Sequence, residues 1–391
     1  MKKGLFILFL TLLFFPAKAQ LKLSENARIS LLTNAPTDDE VFTLYGHAAF
    51  RIFDPGQDID YVFNYGIFSF NKPYFIYRFA KGETDYMLGV TNFQDYIIEY
   101  QMRGTTVTEQ ILNLTQDEKE RIWQALLVNN RPENREYRYN FFFDNCATRL
   151  RDMIENNVNG KIIFSTNIST QTFRDLINYC TRNHPWQTFG CDLALGSPTD
   201  EIASPYQQMF LPEFLFKEFS EATIVASDGT KRPLVSSTLI IADGDEQIPE
   251  ITFFTPLFCG ILLFLFIFTI TFYEWRRKKY FRLLDILLFG IAGVAGCVLS
   301  FLAFISVHPC THPNWSLLWL HPFHLIGAIL FAVKRWNLAA YYYHFINFAA
   351  LTLLLGGWFF IPQHLNAAFI PLIATLWIRS GYGIIRHKLN Y

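Results

Sequence analysis

Charge is scarce and balanced in this chain. Lys and Arg number 33 against 34 Asp and Glu, and charged residues make up 17% of the sequence. A nucleic-acid binder needs a basic surplus to displace counterions from phosphates, so that class is excluded. Cysteine is also sparse: six residues in 391 and no CxxC pair, which argues against a zinc ribbon and a dense disulfide framework. His47 is the only histidine before residue 184. Where histidines do crowd, at His308 and His312, two prolines hold the segment extended and no carboxylate accompanies it, so no metal is expected; nor is a cofactor.

Apolar sequence fills the space that charge leaves. Hydrophobic residues make up 51% of the chain, and 41 residues are Phe. Lys2 and Lys3, the apolar run Gly4 to Phe15 and the pattern Ala17-Lys18-Ala19 read as a secretory signal, 1–19, cleaved after Ala19. The residue after that point is Gln20 and not Cys, so the mature chain is not expected to be a lipoprotein. Hydropathy rises near Ile248, and apolar stretches follow at 253–273, 283–306, 316–333, 343–361 and 367–385, each near the ~20 residues of a membrane span. Pro322 interrupts the third. Arg276 to Lys279, Lys334 with Arg335, and Arg386 with Lys388 follow the first, third and fifth stretches and therefore share one side, the cytoplasmic one. The expectation is an exported domain, 20–250, and an all-α domain of about five spans, 251–391, with the 307–315 loop on the exported side.

Within the exported part, residues 42–53 are β-prone, Pro55-Gly56 turns, and YVFNYGIF (61–68) returns as the second strand of a hairpin. More β-prone sequence runs through Phe93 to Ile98 and Thr105 to Leu114. Thr115 to Glu118 opens a helix, with Ile122, Ala125, Leu126 and Asn129 along it to an end near Asn130. Between Ile162 and Pro249 repeated prolines break the pattern, and only 200–219 carries clear helical fragments. Strands, a helix, then a second helix read as an α+β domain with a small antiparallel sheet.

That second helix carries the chemistry. In FFFDNCATRLRD (141–152), Asp144 and Asn145 suit a helix cap, and Ala147, Leu150, Met153 and Ile154 follow at helical spacing, so Cys146 opens a helix. Free N–H groups and the dipole there favour the thiolate, the reactive form. His47, in YGHAAFRIF, is the imidazole available to it. If facing residues of the hairpin have an odd index sum, Asn64 shares the His47 face; if even, Tyr65 does. The Asp54–Asp60 loop is too long to fix that sum. Asn64 is preferred, because an amide carbonyl can hold an imidazole in place, and the other reading is a strand-end Asn satisfying a turn. Cys180 and Cys191 read equally as one disulfide or two thiols.

His first and Cys later, with the Cys opening a helix after Asp-Asn, is similar to circularly permuted members of the NlpC-like papain superfamily, which include lecithin–retinol acyltransferases. A signal peptide, YGHAAFRI, FNYGIFSF, FAKGETDYML, FFFDNCATRLRD and a five-span region with HPCTHPNWSLLWLHP (308–322) together resemble the lipoprotein N-acyltransferases of the Bacteroidota. The resemblance implies a multi-pass protein of the bacterial inner membrane with a papain-like catalytic domain in the periplasm. It implies a thiol-dependent acyltransferase of lipoprotein maturation. An acyl chain would pass from a phospholipid, through a Cys146 thioester, to the α-amino group of the diacylglyceryl-cysteine that begins a lipoprotein. His47 would manage the protons and Asn64 would be the third polar residue. The partners implied are the phospholipid donor, the diacylated lipoprotein acceptor and the membrane, with no nucleic acid.

Further residues take two readings under that resemblance. Asn145 is an oxyanion donor or a plain cap; Arg149 binds a head-group phosphate or pairs with Asp144. Tyr45 belongs to an aromatic cluster that is either core or an acyl-chain groove. In the far loop His308 and Asn314 guide head groups or belong to a boundary loop anchored by Trp315 and Trp319. Two competing functions stand beside acyl transfer. One is a cell-envelope cysteine peptidase or amidase, which five spans argue against. The other is a non-enzymatic membrane sensor, which lacks a cytoplasmic output domain.

Overall fold

The computed structural model describes residues 22–38, 40–68, 73–165, 168–244 and 253–389. The expected signal peptide and the expected junction near residue 250 lie outside them. The amino-terminal domain is α+β. Its main sheet has seven antiparallel strands: β1 (Arg28–Asn34), β2 (His47–Asp54), β3 (Ile59–Ile67), β4 (Asp85–Asn92), β5 (Val107–Leu112), β6 (Glu136–Arg138) and β10 (Val235–Ala242), in the order β10-β5-β1-β2-β3-β4-β6. Three short strands, β7 (Lys161–Ile163), β8 (Thr223–Val225) and β9 (Lys231–Pro233), form a second antiparallel sheet.

Alternation along β2 and β3 sorts the main sheet into two faces. Ala48, Phe50, Ile52, Phe63 and Tyr65 point one way and pack with Ala147, Leu150 and Ile154 of the Cys146–Asn157 helix, and with Ile122, Trp123 and Leu126 of the Gln116–Asn129 helix. Leu32, Ala49 and Val62 point the other way, under Tyr96, Ile97 and Tyr100. Those three residues belong to a helix, Phe93–Met102, where the sequence reading expected a strand. The aromatic and β-branched residues there have strand propensity, but 96, 97 and 100 fall on one helical stripe, and burying that stripe on the sheet decides. The Gln116–Asn129 helix starts as expected, in a reciprocal cap between Thr115 and Glu118.

The carboxy-terminal domain is a helical bundle: Pro256–Arg277, Arg282–Phe304, Phe323–Ala332, Asn337–Gly356 and Phe369–Lys388. Four segments of it are long and apolar enough to cross a membrane. The third is broken, with a short turn at Trp315–Leu318 and helix only from Phe323, as Pro322 led one to expect. The Phe369–Lys388 helix falls short in hydropathy because Arg379, Arg386 and Lys388 lie in it. Arg379 is fully buried and bonds to Asp285 at 2.6 Å, to Glu274 and to Thr271, so its charge is paired inside the bundle.

The two domains are joined by hydrogen bonds. Asn314 donates to the carbonyls of Leu193 and Ala194, Gln363 to that of Leu195, and Asn366 to the Asp192 carboxylate. All four acceptors lie at the end of the Pro185–Ala194 helix. The Phe189 ring meets that of Phe369.

Candidate active site

Cys146 opens its helix because Asn145 caps it. The Asn145 side chain accepts from the Thr148 N–H, and the Thr148 hydroxyl accepts from the Asn145 N–H. The Asn145 amide nitrogen donates to the carbonyls of Phe141 and Phe210, both at 2.8 Å. That residue is therefore fully engaged as cap and pin, and its amide is not free for an oxyanion.

His47 is the first residue of β2, after Gly46, whose positive φ of 71° turns the chain into the strand. The register settles the hairpin question. Phe50 faces Phe63 and Asp54 faces Ile59, an odd index sum, so Asn64 shares the His47 face. The two side chains meet: His47 Nε2 lies 2.6 Å from Asn64 Oδ1. An amide oxygen only accepts, so Nε2 carries the proton and Nδ1 is left for Cys146, whose charge supports the charged ring.

His47 and Asn64 lie on the sheet face opposite the one that carries the cysteine helix, so contact has to be made around the strand ends. Extending the β2–β3 register sets Gly66 opposite His47. Gly66 has φ 96°, and β3 is irregular between Tyr65 and Ile67. With no side chain at this irregularity, the sheet leaves room for Cys146. Glycine inside YVFNYGIF was the sequence signal for such a bulge.

The pair is electrostatically coupled. Burial opposes the Cys146 thiolate, but the His47 charge and hydrogen bond, with the N–H groups of Ala48 and Ala147, outweigh it and hold the thiol below its ordinary pKa. Burial likewise opposes the charged His47 ring, and Cys146 and Asn64 outweigh it, raising the imidazole above its ordinary value. Opposite shifts on adjacent groups describe a thiolate–imidazolium pair. The Ala48 N–H, supplied by backbone, has no sequence signature.

The amino-terminal part of the chain, residues 19–179, matches the Lnb N-terminal periplasmic domain, and residues 248–389 match the Lnb transmembrane domain. The chain belongs to the Lnb family. Lnb proteins are enzymes of lipoprotein maturation with a periplasmic and a transmembrane part. Cys146, His47 and Asn64 all fall within the Lnb periplasmic match, whereas the Pro185–Ala194 helix that docks on the bundle falls between the two matches. No curated protein and no solved structure matches the chain.

The remaining residues singled out in the sequence are spread over this Lnb chain. Arg149 is held by Asp144 through two hydrogen bonds, of 2.6 and 2.8 Å, and stacks on Tyr137. Tyr45 packs edge-on against Phe141, with its hydroxyl 3.7 Å from Cys191. Cys180 and Cys191 are both free thiols. His308 donates to the Phe79 carbonyl at 2.7 Å, and Asn314 joins the domains, so both serve the joint between exported domain and bundle. Among the described residues no group of His, Cys, Asp and Glu has the makings of a metal site.

Proposed function

We propose that this protein is a lipoprotein N-acyltransferase of the bacterial inner membrane, with a multi-pass domain from about residue 251 and its catalytic domain in the periplasm. The observation that carries this reading is His47 bonded to Asn64 and electrostatically paired with Cys146, on a domain fastened to a helical bundle. Both substrates, a phospholipid and a diacylated lipoprotein, are anchored in one leaflet, and such an enzyme has to work at that surface.

In the first half-reaction Cys146 Sγ attacks the ester carbonyl of the phospholipid, forming the S–C bond. The C–O bond then breaks, the proton on His47 Nδ1 passes to the departing lysolipid oxygen, and a thioester remains. In the second, the α-amino group of the lipoprotein cysteine attacks the thioester. His47 takes its proton, the C–S bond breaks, and the thiolate returns. Asn64 keeps the ring oriented through both proton transfers, as the third member of a triad does. Asn145 and Arg149 are given no substrate role, because their polar groups are already paired.

The test is expression in cells lacking their own N-acylation, followed by mass measurement of a reporter lipoprotein. The expected result is a gain of one acyl chain that is lost with Cys146→Ala. An unchanged reporter mass with the wild-type protein correctly inserted overturns the reading.

A further inference from the structure

The Phe75–Lys81 helix carries an apolar face that the domain does not cover. Tyr74 and Ile76 are 83% and 84% exposed, and Tyr77 and Phe79 are about half exposed. A patch of this kind marks an interaction surface. Its place relative to the bundle is fixed. The Lys81 carbonyl accepts from the Val307 N–H at 2.8 Å, the Phe79 carbonyl accepts from His308, and the Tyr77 ring lies 6.1 Å from that of Phe301. These partners stand at the end of the Arg282–Phe304 helix, whose length of about 34 Å matches a ~30 Å hydrocarbon core. Phe304, Ile305 and Val307 are themselves exposed there. The helix is thus level with the boundary of the bilayer that the bundle spans.

From this helix a row of rings leads inward. Phe79 stacks on Phe75 at 5.9 Å, Phe75 on Phe68 at 6.2 Å, Phe68 meets Tyr86 at 5.0 Å, and Tyr86 stacks on Tyr139 at 4.1 Å. Tyr139 lies near enough to Cys146 that the thiolate, after burial, opposes ionisation of its phenol. Exposure falls along the row, from exposed Phe79 through four half-buried rings to buried Cys146. Ordinary core aromatics are enclosed; these run from an exposed helix to Tyr86 and Tyr139, which pack against the core cluster that holds Cys146. Four successive ring-to-ring steps suit a long hydrocarbon chain, which gains from every apolar face it covers.

We propose that this row is an acyl-chain track. The Phe75–Lys81 helix lies in the outer leaflet of the bilayer, and the donor phospholipid presents its ester at Cys146 while its chain trails back along the rings into that leaflet. The proposal rests on the acyl-transfer reading.

The experiment uses the full-length Cys146→Ala protein with p-benzoylphenylalanine in place of Ile76, Phe68 or, as an exposed control, Val128. The protein is reconstituted in phosphatidylethanolamine–phosphatidylglycerol vesicles carrying an alkyne-tagged acyl chain, irradiated, and its adducts weighed. Lipid adducts are expected at positions 76 and 68 and none at 128. No adduct at 76, or adducts only to a second copy of the chain, overturns the placement in the leaflet; an adduct at 76 with none at 68 overturns the track. A second arm measures single-turnover thioester formation in the Phe68→Ala protein. The rate should fall about tenfold with a long-chain donor, the scale of one lost ring contact, and stay within about twofold with dihexanoyl phosphatidylcholine. Equal losses with both donors overturn the track, whereas a wild-type protein that forms no thioester with either defeats the acyl-transfer reading and leaves the crosslinks standing.

Discussion

Gly66 stands directly against Cys146: a Cβ built there lies 3.8 Å from the cysteine Cβ, on backbone with φ 96°. The distance is ordinary contact, so the cost lies in the backbone. Gly66→Ala should lower stability by about 1–3 kcal/mol, the usual cost of an L-residue in a sparsely populated region. It should also slow thioester formation, because relief of the strain shifts β3 beside the nucleophile. Thermal melts and single-turnover rates check both, and an unchanged melting temperature would mean that β3 adapts without strain.

Thiol reactivity gives the sign of the coupling. With Cys146 held below its ordinary pKa, its alkylation by iodoacetamide should already proceed near neutral pH, at a rate limited by access to a buried thiol. Burial pushes the Cys180 thiol up to about 12 and raises Cys191 and Cys310 as well, so these should stay slow. His47→Ala removes the lowering interactions and leaves burial, which moves the Cys146 profile to higher pH. Peptide mass mapping across pH reads this directly, and a profile that does not move in the variant refutes the pairing.

The pH–rate profile should be bell-shaped. The acid limb belongs to Cys146 and lies below the ordinary thiol range; the alkaline limb belongs to His47 and lies above the ordinary imidazole range. His47→Ala should cost at least ~10²-fold in rate. Asn64→Ala should cost less and narrow the bell from the alkaline side, since the imidazolium loses one acceptor. Coincident profiles for Asn64→Ala and wild type would remove Asn64 from the site.

Inside the bundle, Arg379→Met leaves Glu274 and Asp285 buried without their partner. Breaking a buried pair in this way costs about 3–5 kcal/mol, whereas neutralising all members together is nearly neutral. Arg379→Met should therefore melt early in detergent, and adding Glu274→Gln and Asp285→Asn should recover most of the loss. A triple variant no better than the single one would show that Arg379 acts through packing alone.

What was legible in the sequence is what depends on neighbours along the chain. The cap at Asn145, the helix from Gln116 and the break at Pro322 follow from a few adjacent residues. The choice of Asn64 over Tyr65 did not, because it turns on register across a flexible loop length and is decided by how β1, β2 and β3 pack together. The Phe93–Met102 helix was hidden for a related reason: its residues favour strands, and only a sheet face waiting to be covered makes the helix win. Hydropathy alone also underrates the Phe369–Lys388 helix, since it counts Arg379 as a charge without seeing the two carboxylates that meet it.

The joint between the domains is asymmetric. The bundle's side chains, the amides Asn314, Gln363 and Asn366 with His308, reach main-chain carbonyls of Phe79 and of 193–195 and one carboxylate, Asp192, while Gly196 and Ser197 donate main-chain N–H groups back to the carbonyls of Cys310 and Pro313. Main-chain oxygens are indifferent to which side chain is attached to them. Apart from Trp186, Asp192 and Ser197, whose side chains also bond across, the exported face can thus drift in composition while the fit persists, whereas the bundle is held to a small vocabulary at four places. Chimeras between distant homologues should tolerate a foreign catalytic half more readily than a foreign set of anchoring loops.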